Sequence, residues 1–523
     1  MPKFPDPTKN YSAEPVSPKL ESAKLNTQPY TPPRPTPNSQ PNPIYSSPSS
    51  NSSVSPKSSP PTPPTPPNPS SPTASPPPQP LSPQKSLFRF LPVIFGFLIF
   101  GFLIFGIVKF VIPKNTSRSL SKSSSANKSK PSLTLTYWGL WEPQSVFEPI
   151  IADYERQHPD IKIIYKMQSP KNFRTRLQAA VQQKNGPDIV RIHNTWLPML
   201  ASYLSPAPAG IVSQQDLNDF YPVFLKNFVV QGKVYASPLM VDGLALYYNT
   251  DIFQQAHLKP PKDWNELRQL AYRLTVRDPK TRLIERAGVA LGTAGNIPHW
   301  SDVLGLLMLQ NSADPAKPDS QEVQDALTFY TIFSTKDKVW DSSQPNSIQA
   351  FATGSVAMIF APSWQAYQIK TLNPDLNFKI IPTPSLPDTK ISWASYWVEA
   401  VTSSSSHPKA AWEFLKYLSS PEVLQKLYQQ ESLIRGYGEP YPRKSMANLL
   451  KTDPINAAYV SQAPNYTSWF LADLTHDNGL NDQLIKYYQD AVNAINQGQS
   501  VASIVSTLDQ GVRQVLTQYS LSH

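Results

Sequence analysis

The stretch Phe90 to Val108 constrains this chain most: nineteen consecutive residues without a charge, F-L-P-V-I-F-G-F-L-I-F-G-F-L-I-F-G-I-V. A helix rises 1.5 Å per residue, so a run of this length spans most of a ~30 Å hydrocarbon layer. A soluble core helix keeps a polar face, and this run has none. It does not read as a secretory signal, because a signal's apolar run of ~7–15 residues follows a short basic start and precedes a small-residue cleavage site. The glycines Gly96, Gly101 and Gly106 are spaced by five and fan around a helix, which does not make the four-residue spacing of a dimerisation face. The reading is one uncleaved transmembrane helix over residues 87–113.

On its N-terminal side the chain cannot build a core. Of 58 prolines, 27 precede residue 87, mixed with Ser, Thr, Asn and Gln. Proline removes donors and fixes φ, and too few apolar side chains remain to offset the entropy of ordering. Residues 1–86 read as a disordered Pro/Ser-rich tail with polyproline-II character around Pro60 to Pro80. It acts as a spacer, or presents runs such as Pro61-Thr62-Pro63-Pro64 to SH3-like or WW-like grooves. Residues 114–131, rich in Ser and Lys, read as a flexible stalk.

Charge placement excludes nucleic acid as a partner. The chain carries 47 basic and 37 acidic residues. Residues 1–130 take 14 and 3 of these, which leaves 33 and 34 for the remainder. The basic surplus therefore belongs to the tail and the membrane flanks, and the rest has no electrostatic footprint for DNA or RNA. The chain has no cysteine, so disulfides, thiolate catalysis, Cys-based zinc sites and a lipid-modified cysteine anchor are all excluded.

Residues 132–523 are long enough for two lobes. Leu133 to Trp138 alternates as a strand. Phe147, Ile150, Ile151 and Tyr154 mark a helical stripe, and Ile161 to Tyr165 is a second strand. Phe173, Leu177, Ala180 and Val181 mark another helix, and Asp188 to Ile192 a third strand. Alternation of this kind makes an α/β sheet with helices on both faces, whose ligands bind beyond the carboxyl ends of the strands. Asp263-Trp264-Asn265-Glu266 reads as a capping box opening a helix through Leu274. Two amphipathic helices, roughly 481–496 and 501–519, end the chain and break at Gly498.

Several stretches resemble the bacterial extracellular solute-binding proteins of the maltose-binding type, the carbohydrate-capturing partners of ABC importers. They are the first strand with Trp138 and Trp141, G-P-D-I-V at Gly186, and G-K-V-Y-A-S-P-L-M-V-D-G-L-A-L-Y-Y-N-T-D-I-F from Gly232. P-P-K-D-W-N-E-L from Pro260, G-S-V-A-M at Gly354 and A-A-W-E-F-L-K-Y-L from Ala410 follow in the family's order. The resemblance implies a two-lobed, periplasmic-binding-protein-like clamshell of type II. Lobe 1 would take about 132–241 and 379–425, and lobe 2 about 242–378 and 426–523. The first hinge crossing would fall near Val241-Asp242-Gly243, with a return near Asn377 to Pro382.

It also implies a sugar or oligosaccharide ligand, a partnership with importer permease subunits, and no cofactor or metal. Aromatic rings stack on sugar faces while carboxylates, amides and Arg bond hydroxyls. All eleven tryptophans follow residue 137, and those at strand ends or in loops are the stacking candidates: Trp138, Trp141, Trp196, Trp300, Trp364, Trp393, Trp397 and Trp469. Trp364, in A-P-S-W-Q-A-Y, stands where the family places a sugar-stacking tryptophan, and Trp300, in G-N-I-P-H-W, comes next. Polar candidates are Glu142, Asn194, Asp242 and Arg435. Tyr396, where relatives often carry paired glycines, adds bulk or a platform. Trp264 and Trp412 read as core.

No H-E-x-x-H, G-x-S-x-G, Walker loop or G-x-G-x-x-G is present, so the reading is a binder and not an enzyme. A glycosidase needs only two well-spaced carboxylates, and a glycan-active enzyme or a surface carbohydrate sensor are the alternatives. Topology is contested. Six basic residues from Lys109 to Lys130 follow the helix, which by charge bias alone puts the large domain inside. Long domains translocate largely regardless of charge, so the reading is a cytoplasmic tail and an extracytoplasmic domain, tethered to the cell membrane by a single pass.

Overall fold

The computed structural model describes Phe4 and residues 131–521. The apolar helix, the stalk as far as residue 130 and the tail apart from Phe4 lie outside the described residues. Among the described residues no helix is long and apolar enough to cross a membrane.

Ten strands carry the architecture: β1 (Leu133–Gly139), β2 (Ile161–Met167), β3 (Ile189–His193), β4 (Ser237–Pro238), β5 (Ala245–Asn249), β6 (Met358–Ala361), β7 (Phe378–Ile381), β8 (Ser392–Trp393), β9 (Trp397–Val401) and β10 (Tyr466–Thr467). Lobe 1 is built on a five-stranded sheet in the order β2-β1-β3-β9-β4. β1 runs parallel to β2 and β3, and β9 runs antiparallel to β3 and β4. β3 is buried along its whole length as a central strand, with Arg191 paired to Glu142 and Glu399 and His193 held between two hydroxyls. Lobe 2 has a smaller antiparallel sheet in the order β6-β5-β7.

The helices that matter below are α1 (Gln144–Gln157), α2 (Phe173–Gln182), α3 (Trp264–Leu274), α4 (Trp300–Gln310), α5 (Gln321–Thr335), α6 (Gln365–Leu372), α7 (Pro408–Leu418), α8 (Pro421–Arg435), α9 (Leu480–Asn496) and α10 (Val501–Gln518). Asp263 caps α3 by accepting from the Glu266 N–H at 2.8 Å, while the Glu266 carboxylate reaches back one residue further, to the Lys262 N–H. Gly498 takes φ 94° in the turn between α9 and α10, a conformation that costs glycine little.

The chain crosses between the lobes where β4 gives way to β5. Gly243 is needed there, because a Cβ on it would stand 1.9 Å from the Trp393 carbonyl oxygen. The return comes later than the sequence suggests. β7 belongs to the lobe 2 sheet, where Phe378 stacks on Tyr247 with centroids 5.7 Å apart, and lobe 1 resumes only at β9. Lobe 1 also keeps α8. Lys426 pairs with Asp153 of α1 and donates to the Pro149 carbonyl, so the lobe extends to Arg435 and not to residue 425. The last helices pack on lobe 2, where Tyr488 donates to the Pro315 carbonyl and Asn496 to that of Gly292. β8 pairs with β10 as a second connection beside the first crossing.

Phe4 packs into lobe 2. Its ring is buried and stacks on Phe329 of α5, centroids 4.7 Å apart and planes 14° apart. Phe329 meets Trp264 and Phe333 edge-on, so Phe4 completes an aromatic cluster of lobe 2. A side chain is not buried in a domain from across a bilayer. The expectation of a cytoplasmic tail opposite an extracytoplasmic domain is therefore corrected at this residue: Phe4 and the domain share one side.

Candidate functional site

Two tryptophans stand open to solvent, one on each lobe, and both lie next to the hinge. On lobe 1, Trp141 follows β1 with its backbone in the left-handed region (φ 70°) and its residue 38% exposed. Its ring meets Trp397, the first residue of β9, edge-to-face at 5.9 Å. Trp397 in turn meets Trp196 at 5.3 Å and His193 at 5.0 Å. Trp138 packs beside Phe173 at the start of α2. Trp196 itself is buried beneath this cluster. The result is an aromatic platform whose outer ring is Trp141.

The polar candidates of lobe 1 are committed to protein groups. Glu142 pairs with Arg191, whose Nε also bonds Glu399 at 2.6 Å, and Tyr137 donates to Glu399 at 2.8 Å. Burial pushes the Glu142 carboxyl upward and Arg191 pulls it back. Asn194 exchanges hydrogen bonds with the Tyr396 backbone, N–H to carbonyl at 3.0 Å and Oδ1 from N–H at 3.1 Å. The Tyr396 ring is buried, so this pair fixes the lobe 1 end of the hinge. His193 lies between the Thr195 and Ser395 hydroxyls, and burial holds its imidazole down at about 3.

Asp242 occupies the crossing. It accepts from the Gly243 N–H at 2.7 Å, from the Ser363 hydroxyl at 2.8 Å, and from the Ser363 N–H. Burial first, and then the charge of Glu439, push its carboxyl well up. Arg435 at the end of α8 pairs with Glu431 at 3.1 Å and Glu439 at 2.8 Å. Burial raises Glu431 to about 8 in spite of that partner, with Glu439 and Glu142 adding repulsion. Tyr437 donates to the Ser363 carbonyl at 2.9 Å and accepts from the Tyr367 N–H.

That network ends at the lobe 2 tryptophan. Trp364 follows Ser363 directly, precedes α6, and is 38% exposed. Beside it, 5.6 Å away and edge-to-face, is His299. His299 sits in the left-handed region (φ 66°) at the start of α4. Its N–H donates to Asp473 Oδ2 at 2.8 Å, and its Nδ1 lies 3.0 Å from Asp302 Oδ2. Trp393 Nε1 donates to the other Asp302 oxygen at 2.6 Å. Trp393 is fully buried against Gly305, where an added Cβ would stand 2.5 Å from the indole. Trp300 is buried too and packs towards Tyr330 at 6.3 Å.

The sequence-selected residues therefore divide. Trp141 and Trp364 present rings to solvent, and Trp138 is partly covered. Trp196, Trp300, Trp393 and Tyr396 are interior, and Glu142, Asn194, Asp242 and Arg435 hold protein partners. His299, Asp302 and Asp473 were not selected. In G-N-I-P-H-W it is the histidine, and not the tryptophan, whose ring meets Trp364. The i, i+3 spacing of His299 and Asp302 on a helix start was the available signal.

Known proteins agree with this architecture. Residues 138–425 match the family model described as bacterial extracellular solute-binding protein. A multiple sugar-binding protein of Streptococcus mutans is 24% identical over 334 residues, 59% of this chain and 76% of that protein. The diacetylchitobiose-binding protein DasA of Streptomyces coelicolor is 24% identical over 297 residues, 54% of this chain and 68% of its own length. Among solved structures, the sugar-binding protein MalE of Xanthomonas citri is similar with a TM-score of 0.62 at 22% identity, covering 74% of this chain and 98% of that one.

Proposed function

Because this chain belongs to the bacterial extracellular solute-binding protein family, we propose that it captures a sugar or oligosaccharide between its two lobes and delivers it to an ABC importer. The observation that carries the reading is the pair of open tryptophans, Trp141 and Trp364, set on opposite lobes beside one hinge. An indole face offers a flat apolar surface to the C–H face of a sugar ring, and one ring on each lobe lets closure grip the ligand from two sides. Trp138 and the hinge groups around Asp242 and Arg435 shape and position this site.

The binding relatives support a ligand that is held and released chemically unchanged. The apolar stretch Phe90–Val108 attaches the chain to the membrane with its domain extracytoplasmic. Tethering keeps the domain near a permease and raises its effective concentration there.

Tryptophan fluorescence titrated with gluco-, manno- and chito-oligosaccharides tests the reading. A saturable change, with the sugar recovered intact, is expected. A response to peptides or polyamines and to no sugar overturns the carbohydrate assignment, and a recovered cleavage product overturns the binder.

A further inference from the structure

His299 is 4% exposed, and its Nε2 is buried without a hydrogen-bond partner. An unpaired buried ring nitrogen is unfavourable, so a residue kept in this state needs a reason. Its other groups are fully engaged. The backbone N–H is held by Asp473 and Nδ1 by Asp302, while the ring edge abuts Trp364, the open tryptophan of lobe 2.

The hydrogen-bond directions around Asp302 decide what Nε2 offers. Trp393 Nε1–H and the Asp473 N–H both donate into the Asp302 carboxyl, as a carboxylate requires. Burial raises this carboxyl, and the hydrogen bond from His299 opposes the rise. In the neutral imidazole, Nδ1 beside these acceptor oxygens carries the proton, and Nε2 is then a lone pair. Its missing partner is therefore a donor.

A metal ion is the competing explanation, since His299, Asp302 and Asp473 can bring three ligand atoms within 4.8 Å of one another. The carboxylate oxygens argue against it. Asp302 receives the N–H groups of Trp393, His299 and Asp473, and Asp473 receives those of His299 and Leu474. A cluster already filled by N–H donors has little acceptor capacity left for a cation.

Resting on the carbohydrate reading, we infer that His299 Nε2 accepts a hydrogen bond from a hydroxyl of the sugar unit stacked on Trp364. Asp302 and Asp473 position it for this. The subsite then discriminates by one hydroxyl: a unit deoxygenated or O-methylated there loses the donor and leaves Nε2 unpaired.

The test crosses variants with analogues. Calorimetry on the full chain in detergent uses the tightest binder among the gluco-, manno- and chito-oligosaccharides, together with its monodeoxy derivatives. Wild type is expected to lose roughly tenfold in affinity at one hydroxyl position. His299→Ala loses a similar factor towards the parent sugar and no more towards that deoxy derivative, and His299→Gln, which returns an acceptor, recovers part of the loss. If His299→Ala does not fold, the same derivative series on His299→Gln gives the readout. Parent affinity unchanged in His299→Ala while Trp364→Ala loses binding overturns the inference and leaves the carbohydrate reading standing. Zinc binding lost in His299→Ala, with no coupling to any hydroxyl, also overturns it. No sugar bound by wild type removes the carbohydrate reading itself.

Discussion

The Asp242 carboxylate accepts both the hydroxyl and the N–H of Ser363, the residue that immediately precedes Trp364. A hinge residue of the first crossing thus holds the backbone that carries the lobe 2 platform. Ser363→Ala removes one donor from the buried Asp242 carboxyl group, a change that costs about 1–3 kcal/mol of stability. It also loosens the approach to Trp364. Melting temperature should fall and sugar affinity should weaken by several-fold. An unchanged affinity beside a lowered melting point would confine the contact to stability and separate the hinge from the platform.

The two classes of tryptophan give opposite signatures. Trp364→Ala removes a solvent-open ring, so ligand affinity should drop by about 1–3 kcal/mol with little change in melting. Trp393→Ala opens a cavity beside Gly305 and strips a donor from Asp302, so folding stability should fall by about 3–5 kcal/mol. Urea unfolding together with calorimetry on the two variants distinguishes them. Equal melting losses would place Trp364 in the core.

Much of the fold is legible because its signals are local. The alternation of Leu133 to Trp138, the stripe through Phe147 and Tyr154 and the cap at Asp263 each specify an element within a few residues, and the structure bears them out. Gly243 marks the first crossing because the tight approach of Trp393 tolerates no side chain. The site is less legible because exposure is a tertiary property. Trp300 and Trp364 each lie at a helix start, but α4 carries the first ring inward while the start of α6 leaves the second outside. The Glu431–Arg435 pair is a local i, i+4 spacing on α8, but the chain beyond the helix must turn to bring Glu439 onto the same guanidinium. The return crossing is misplaced for a similar reason. Phe378 to Ile381 is an apolar strand that either lobe accepts, and Tyr247 and Phe351 decide for lobe 2.

Buried carboxyls at the hinge make stability depend on pH. Glu431 holds its proton up to about 8 in the folded chain, against about 4.5 when unfolded. The folded state therefore binds the extra proton between those values. This contribution is complete below about 4.5 and is lost as pH rises through 8, with a limiting slope of about 1.4 kcal/mol per pH unit. His193 works the other way. Held at about 3 in the folded state, it destabilises the domain as pH falls below about 6.5. Between 4.5 and 6.5 the two slopes oppose each other, so the net decline due to this pair runs from about 6.5 to 8. Glu431→Gln should flatten that decline when urea unfolding is measured at pH 6 and pH 8. A slope equal to wild type would assign the proton to another group.

The burial of Phe4 against Phe329 makes a topological prediction that charge counting does not. Six basic residues after the apolar stretch pull the domain inward, the family places it outside, and either choice with a single crossing separates Phe4 from Phe329. The stacked pair requires residue 4 and the domain on the same face of the membrane. Tags at both ends, with protease added to intact cells or spheroplasts, should therefore be digested together. Phe4→Ala removes a buried ring from lobe 2, a loss of about 3–5 kcal/mol where the ring is fully enclosed. That side chain is 9% exposed, which puts the expected loss at the lower end of this range. A protected N-terminal tag with a digested C-terminal one, and a Phe4→Ala domain of unchanged melting temperature, would show that the pair does not form in the membrane-bound chain. The single crossing read from the apolar stretch would then be restored.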